Sequence, residues 1–334
     1  MQWTRRKSLI TALILAAAAV LFTVLAQSDL LFLPEAPKSK LTLQDIPFDG
    51  ARAYKHLTNL CAIGPRIAGS PGMVEQRELI RKHFESLGAK VSTQTWKIRH
   101  PQTGEPIELA NLIVEFHPDR EERILLCAHY DTRPYPDEDP DPKRRRSEFL
   151  GANDGASGVA LLMELGTHLG KLPGSLGVDI VLFDAEELIY EKSRDKYFIG
   201  SEHFAREYVA SPPKHHYRCG VLLDMVGDKE LQIYQERNSV KTKEQREVTH
   251  SIWRTAEALR VSEFVRRAWH EVRDDHLALN NTAMIPTCDI IDFDYPRPGG
   301  PNYWHTTRDV PENCSAESLA KVGWVLLEWL KGQR

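Results

Sequence analysis

Apolar residues recur along this chain in two distinct periods. At 73–87, 157–169, 201–210, 244–258 and 315–331 they return at helical spacing, and each stretch is expected to form a helix. Short β-branched or apolar runs lie at 90–97, 110–116, 123–128, 178–183, 219–223 and 286–291. Two of them, Ile124-Leu125-Leu126 and Ile180-Val181-Leu182-Phe183, are continuous, the mark of strands buried on both faces. Strands alternating with helices predict an α/β fold in a single domain: a mostly parallel, mixed central β-sheet with helices on both faces. From Asp49 onward the chain has no internal repeat and no linker long enough to divide it, so residues 49–334 are expected to be one domain.

The N-terminal part reads differently. Arg5, Arg6 and Lys7 precede an apolar run from Leu9 to Ala26, broken only by Thr11 and Thr23 and ending in Val24-Leu25-Ala26. A basic start, an apolar core and a small-residue end describe a secretory signal. The core is about 18 residues, also near the minimum for a membrane-spanning helix. Residues 1–26 are therefore expected to be a signal peptide or an N-terminal membrane anchor. Both alternatives put the rest of the protein outside the cytoplasm, secreted, periplasmic or tethered, with this segment as its only membrane contact. Residues 27–48, with Pro34, Pro37 and Pro47, read as a linker or wrapping segment.

Composition narrows the class. Net charge is −4, from 43 Lys+Arg against 47 Asp+Glu, so there is no basic field for nucleic acid. The five cysteines, at 61, 127, 219, 288 and 314, are too scattered for a disulfide scaffold and form no CxxC, which leaves their pairing open. A metal would have to be held by histidines and carboxylates.

In open α/β sheets, function collects at the carboxyl ends of the strands. Four runs here finish in acids or a histidine: Ala128-His129-Tyr130-Asp131, Asp184-Ala185-Glu186-Glu187, Asp224 and Asp292. A small-residue turn, Gly151 to Gly158 with Asp154 inside it, opens a helix between the first two, and Trp304-His305 lies near the C-terminus. One buried carboxylate at a strand end is commonly structural, but several on one edge are costly without compensation. Two histidines with three or more carboxylates suit Zn²⁺ with an open position. In the adjacent pair Glu186-Glu187, one carboxylate can ligate while its neighbour faces substrate and shuttles a proton. Asp131, two residues past His129, is placed to orient that imidazole.

In this order the residues resemble the zinc aminopeptidase and glutaminyl cyclase superfamily over roughly Asp49 to Leu330, with Gly64-Pro65-Arg66 and Gly69-Ser70-Pro71-Gly72 as an early marker. The resemblance implies a zinc exopeptidase-like fold and a catalytic role for 49–334. It also implies a ligand set of His129, Asp154, Glu187, Asp224 and His305, with Glu186 as acid/base. In the cyclase branch one zinc is expected, on Asp154, Glu187 and His305; in the aminopeptidase branch two, with His129 and Asp224 completing the second position. Either branch takes peptide or protein N-termini as substrate.

Three features resemble the glutaminyl-peptide cyclotransferase branch. Twelve residues, Leu188 to Ile199, separate Glu187 from Gly200-Ser201. Trp304 directly precedes His305, like a cyclase indole lining a small pocket. Asp274-Asp275-His276 resembles a cyclase segment whose second Asp binds the reacting amide nitrogen, which implies that Asp275 and Asp224 share a proton. Conversion of an N-terminal Gln to pyroglutamate with release of ammonia is the expected activity. A two-zinc aminopeptidase and a non-catalytic binding module are the alternatives. Two departures stand out: the tryptophan common early in the cyclase link is missing from Leu188–Lys192, and Cys127 has no evident disulfide partner.

Other residues read as structural. Lys143–Arg146 is expected to be a solvated loop and His215 and His216 to be exposed. Trp253, Trp269, Trp324 and Trp329 are expected to pack, and Asp292 to be structural with no nameable partner. Asp309 and Glu312 are expected to brace the C-terminal helix, with Ser315 as its N-cap.

Overall fold

The computed structural model describes residues 38–298, 300 and 302–333. Eight strands follow one another: β1 (Lys90–Arg99), β2 (Pro106–Phe116), β3 (Glu122–His129), β4 (Gly177–Phe183), β5 (His216–Asp224), β6 (Ile233–Glu236), β7 (Phe264–Trp269) and β8 (Thr287–Ile291). Six of them form the central sheet in the order β1-β2-β4-β3-β5-β8. The β4, β3, β5 and β8 neighbours are parallel, while β1, β2 and β4 pair antiparallel. The sheet is thus mixed, with its parallel half carrying the polar strand ends.

Among the described residues six helices of more than ten residues cover it: α1 (Gly50–Cys61), α2 (Pro71–Ser86), α3 (Ser157–Leu169), α4 (Ile199–Ala210), α5 (Lys243–Ala258) and α6 (Ala316–Lys331). Side-chain alternation divides the strands between two cores. Ile124, Leu126, Ile180, Leu182, Val221 and Leu223 face the larger core, with α1, α2, α3, α5 and α6. Leu125, Cys127, Val181, Phe183 and Leu222 face the other, against Phe204 and Ala205 of α4 and the 278–285 turn. Leu126, in the centre of the sheet, is fully buried; truncation to alanine there would cost about 2–5 kcal/mol in lost burial and cavity formation.

Caps written in the sequence fix the helix starts. Ser70 accepts from Met73 N–H ahead of Pro71, Thr242 and Gln245 form a reciprocal capping box, and Ser315 accepts from Glu317 and Ser318 N–H as expected. The pattern reading missed α1, although Asp49 caps it and Ala53, Leu57 and Leu60 mark its buried face. It also missed the small parallel pair β6–β7, whose apolar signal Arg266 and Arg267 interrupt. β2 starts earlier than expected because its outer residues are held by pairing with β1, not by burial.

Residues 38–48 wrap the larger core, burying Ile46 and Phe48 and tying Ser39 to Glu263. The expected leader, 1–26, and residues 27–37 lie outside the described residues. Among the described residues no helix is long and apolar enough to cross a membrane, and all five cysteines are free and buried.

Candidate metal centre

The expected ligand residues meet at the carboxyl edge of the parallel strands. His129 is the last residue of β3 and Asp224 the last of β5; Glu186 and Glu187 follow β4, Asp154 lies in the turn before α3, and His305 comes from the loop after β8. Asp154 stands at the centre. Its Oδ1 is 3.2 Å from His129 Nε2, and its Oδ2 is 3.3 Å from His305 Nε2. His129 Nε2 is also 3.3 Å from Asp224 Oδ1, and His305 Nε2 is 2.5 Å from Glu187 Oε1. Two clusters of donor atoms result, His129/Asp154/Asp224 and Asp154/Glu187/His305, each with its atoms within 4.8 Å of one another.

The donor set fits a divalent cation. Asp154 Oδ2 and Glu187 Oε2 are buried without a hydrogen-bond partner, a state that is costly for carboxylates unless positive charge meets them. Imidazole nitrogens and carboxylate oxygens are the ligands Zn²⁺ takes.

The chain strains locally to aim these groups. Ala185, Met225 and His305 all adopt left-handed backbone (φ 57°, 48° and 54°), each at or beside a site residue. Gly155 at φ +92° leaves no room for a Cβ, which would lie 2.5 Å from Asp131 O. At Gly158 a Cβ would lie 2.3 Å from Leu223 O, so α3 can approach β5 only with glycine there.

A layer of hydrogen bonds supports the ligands. Asp131 accepts from Glu186 N–H and Glu187 N–H, both at 3.0 Å, while His129 Nδ1 stands 3.7 Å from its Oδ1. The carboxylate thus meets both the imidazole, as expected, and, at shorter range, the turn that carries the glutamates. Asp309 departs from expectation. It does not brace α6 but accepts from Asn153 N–H at 2.7 Å and Asp154 N–H at 3.1 Å, with Tyr295 Oη donating at 3.1 Å. Arg66, of the early marker, donates to the carbonyls of Leu150 and Gly151 at the start of the same turn. Arg133, not singled out by sequence, is fully buried with Nη1 3.5 Å from Glu187 Oε1.

A cavity of about 310 Å³ opens onto the cluster. Glu186 lines it, and burial, reinforced by the Glu187 charge, lifts its carboxyl well above the usual range. Burial opposes the charge on Asp154, but His129 and His305 hold it well below that range. These two carboxyls are therefore pushed in opposite directions, one toward proton carriage and one toward ligation.

Trp304 lines the cavity and stacks on His305, ring centroids 3.7 Å apart and 25° between planes. Tyr197 and Phe198, at the end of the long link after Glu187, and Phe293 complete the aromatic wall. Sequence reading missed these three, having looked for an aromatic early in the link; Tyr190 there turns away, toward His100 and Tyr135.

The two acids of the Asp274-Asp275 pair sit differently. Asp274, not Asp275, lines the cavity together with Asp224. Asp275, its neighbour in sequence, is fully buried, accepts from Ser201 Oγ and leaves its Oδ2 without a hydrogen-bond partner. Burial, then the Asp224 charge, push Asp274 up to about 7. The motif reads Asp-Asp in sequence, and only the turn into residues 276–278 decides which carboxylate faces outward. Asp292 proves structural, accepting from Gln232 N–H at 2.8 Å, and His215 is half-buried instead of exposed.

Comparison with known proteins places this geometry. Residues 111–330 match peptidase family M28. A glutaminyl-peptide cyclotransferase of Drosophila melanogaster is 26% identical over 168 residues, 49% of this chain and 45% of that protein. The chain spans about half the length of the curated relatives it matches. Among solved structures, a Fimbriiglobus ruber glutaminyl cyclase superposes with a TM-score of 0.80 at 40% identity, covering 90% of this chain and 99% of that one. A Zn-dependent exopeptidase from Parabacteroides distasonis gives 0.78 at 30% identity, covering 89% and 100%.

Proposed function

The chain belongs to peptidase family M28, and we propose that within it this protein is an exported, zinc-dependent glutaminyl-peptide cyclotransferase. The observation that carries the reading is one cavity lined by Asp224, Asp274, Glu186 and Trp304 together with Asp154, Glu187 and His305. The likeness to glutaminyl cyclases supports it.

Asp154, Glu187 and His305 would hold a single zinc ion, which as a Lewis acid supplies polarisation of the substrate's γ-carbonyl. The remaining work belongs to the chain. The aromatic wall of Trp304, Phe198 and Phe293 excludes water and folds the glutamine side chain back toward its own amine. Glu186, its carboxyl lifted by burial, takes a proton from the α-amine as that nitrogen bonds to the γ-carbon. It returns the proton to the departing amide nitrogen as the C–N bond breaks, so ammonia leaves and the ring closes with no net proton change. Asp274, near neutrality in its titration, holds the amide nitrogen by hydrogen bonding. Export through the 1–26 segment is part of the proposal and follows from that segment's basic-then-apolar pattern.

A second reading rests on Asp154, which lies between two complete donor clusters. Such an arrangement suits a two-zinc aminopeptidase with Asp154 bridging, and the likeness to a Zn-dependent exopeptidase supports it. Assay of the purified protein with Gln-initiated and Leu-initiated peptides separates the two. Ammonia without free amino acid supports the cyclase; released leucine without ammonia supports the peptidase.

A further inference from the structure

The floor of the cavity is acidic, but its mouth is not. Asp154, Glu186, Glu187, Asp224 and Asp274 are all buried there, whereas Arg273, next to Asp274 in sequence, is exposed and lines the same cavity. Among the described residues it is the sole arginine or lysine to do so. Arg267 and Arg308 are engaged by rings, Arg267 over Trp269 at 4.3 Å and Arg308 over Tyr303 at 5.3 Å. Arg273 has no ion pair, hydrogen bond or ring contact among the described residues. The other charged side chain at the mouth, Glu271, is 3.5 Å from Lys241. An unengaged guanidinium therefore stands at the exposed edge of the cavity.

We propose that Arg273 selects substrates presenting a carboxylate next to the reacting residue. The inference rests on the cyclase reading and names its substrate class. A planar guanidinium matches a carboxylate with two parallel N–H donors, and a peptide covering the mouth displaces water from that contact. The floor carboxylates would otherwise repel an acidic peptide, and Arg273 offsets this. The carboxylate has two possible sources, an Asp or Glu side chain at the second position or the free C-terminus of a dipeptide.

Ammonia release from Gln-Glu-amide, Gln-Ala, Gln-Ala-amide and Gln-Lys-amide by the intact protein tests the proposal and separates the sources. Gln-Glu-amide, Gln-Ala with its free C-terminus, or both should exceed Gln-Ala-amide in kcat/KM by roughly 2–5-fold, the upper part of the range for an exposed charge pair, and the gain should lie in KM. R273A should bring that ratio to about 1, R273E should reverse it toward Gln-Lys-amide, and about 0.5 M salt should shrink it in the wild type. Equal values for all four peptides, or an acid preference that survives R273A, overturn the role of Arg273 while leaving the cyclase reading intact. No ammonia from any peptide overturns the cyclase reading and this inference with it.

Discussion

Asp309 accepts the backbone N–H of Asp154 at 3.1 Å, holding the central residue of the candidate metal site from a position far along the chain. The same carboxylate takes the Asn153 N–H at 2.7 Å, so one side chain fixes the turn from which Asp154 projects. Asp309→Ala should weaken zinc binding by about 10–100-fold, the usual effect of losing a group that orients a ligand. Zinc retained after dialysis against a competing chelator, with circular dichroism as a check on folding, measures it. Unchanged zinc affinity would make Asp309 a packing residue only.

Glu186 and His305 should fail in different ways. Glu186→Gln keeps a polar group of the same size and should retain zinc while turnover falls by about 10²–10⁴, the range for losing a positioned acid/base. His305→Ala removes a direct donor and should instead release the metal. Steady-state rates paired with metal analysis of both variants distinguish the effects, and an unaltered rate in Glu186→Gln would remove it as proton carrier.

The Asp274-Asp275 pair offers a contrast within one dipeptide. If Asp274 holds the reacting amide as proposed, Asp274→Asn should lower kcat about 10–10³-fold with zinc content unchanged. Asp275→Asn should act on stability, about 1–3 kcal/mol in chemical denaturation, because it disturbs a fully buried hydrogen bond with Ser201. The reverse pattern would return the substrate-facing role to Asp275.

A pH dependence follows from Asp184. Burial, with the Asp131 charge adding to it, lifts this carboxyl to about 8, against about 4 in an unfolded chain. A raised folded pKa means the native state keeps a proton the unfolded chain has already lost. Asp184 therefore contributes fully below about pH 4, and its contribution falls as pH rises toward 8. Asp184→Asn can still accept from Ala110 N–H, which Asp184 Oδ2 does at 2.7 Å. Melting temperatures of that variant should decline less than wild type between about pH 5 and 8; parallel curves would place the proton elsewhere.

Legibility in the sequence followed the physical range of each signal. Strands β3 and β4 announced themselves as unbroken apolar runs because both faces are buried, and the polar residues at their ends could be read in the same pass. The ligand positions were legible because chemistry restricts them to histidine and carboxylate at strand ends. Asp309 was not, since a carboxylate after a histidine reads equally well as a helix brace, and its partners are backbone groups some 150 residues earlier. The choice between Asp274 and Asp275 was hidden for a similar reason: identical side chains one residue apart are told apart only by the direction of the turn. Tyr197, Phe198 and Phe293 reach the cavity through loop geometry, to which hydrophobic periodicity is blind.

Zinc stoichiometry of active protein, taken with ammonia release from a Gln-initiated peptide, tests the central claim most directly. The account predicts one zinc per chain at full activity, ammonia formed as pyroglutamate appears, and no amino acid released. Two tightly held zinc ions, both required to cleave a Leu-initiated peptide, with no ammonia from the Gln-initiated one, would contradict it.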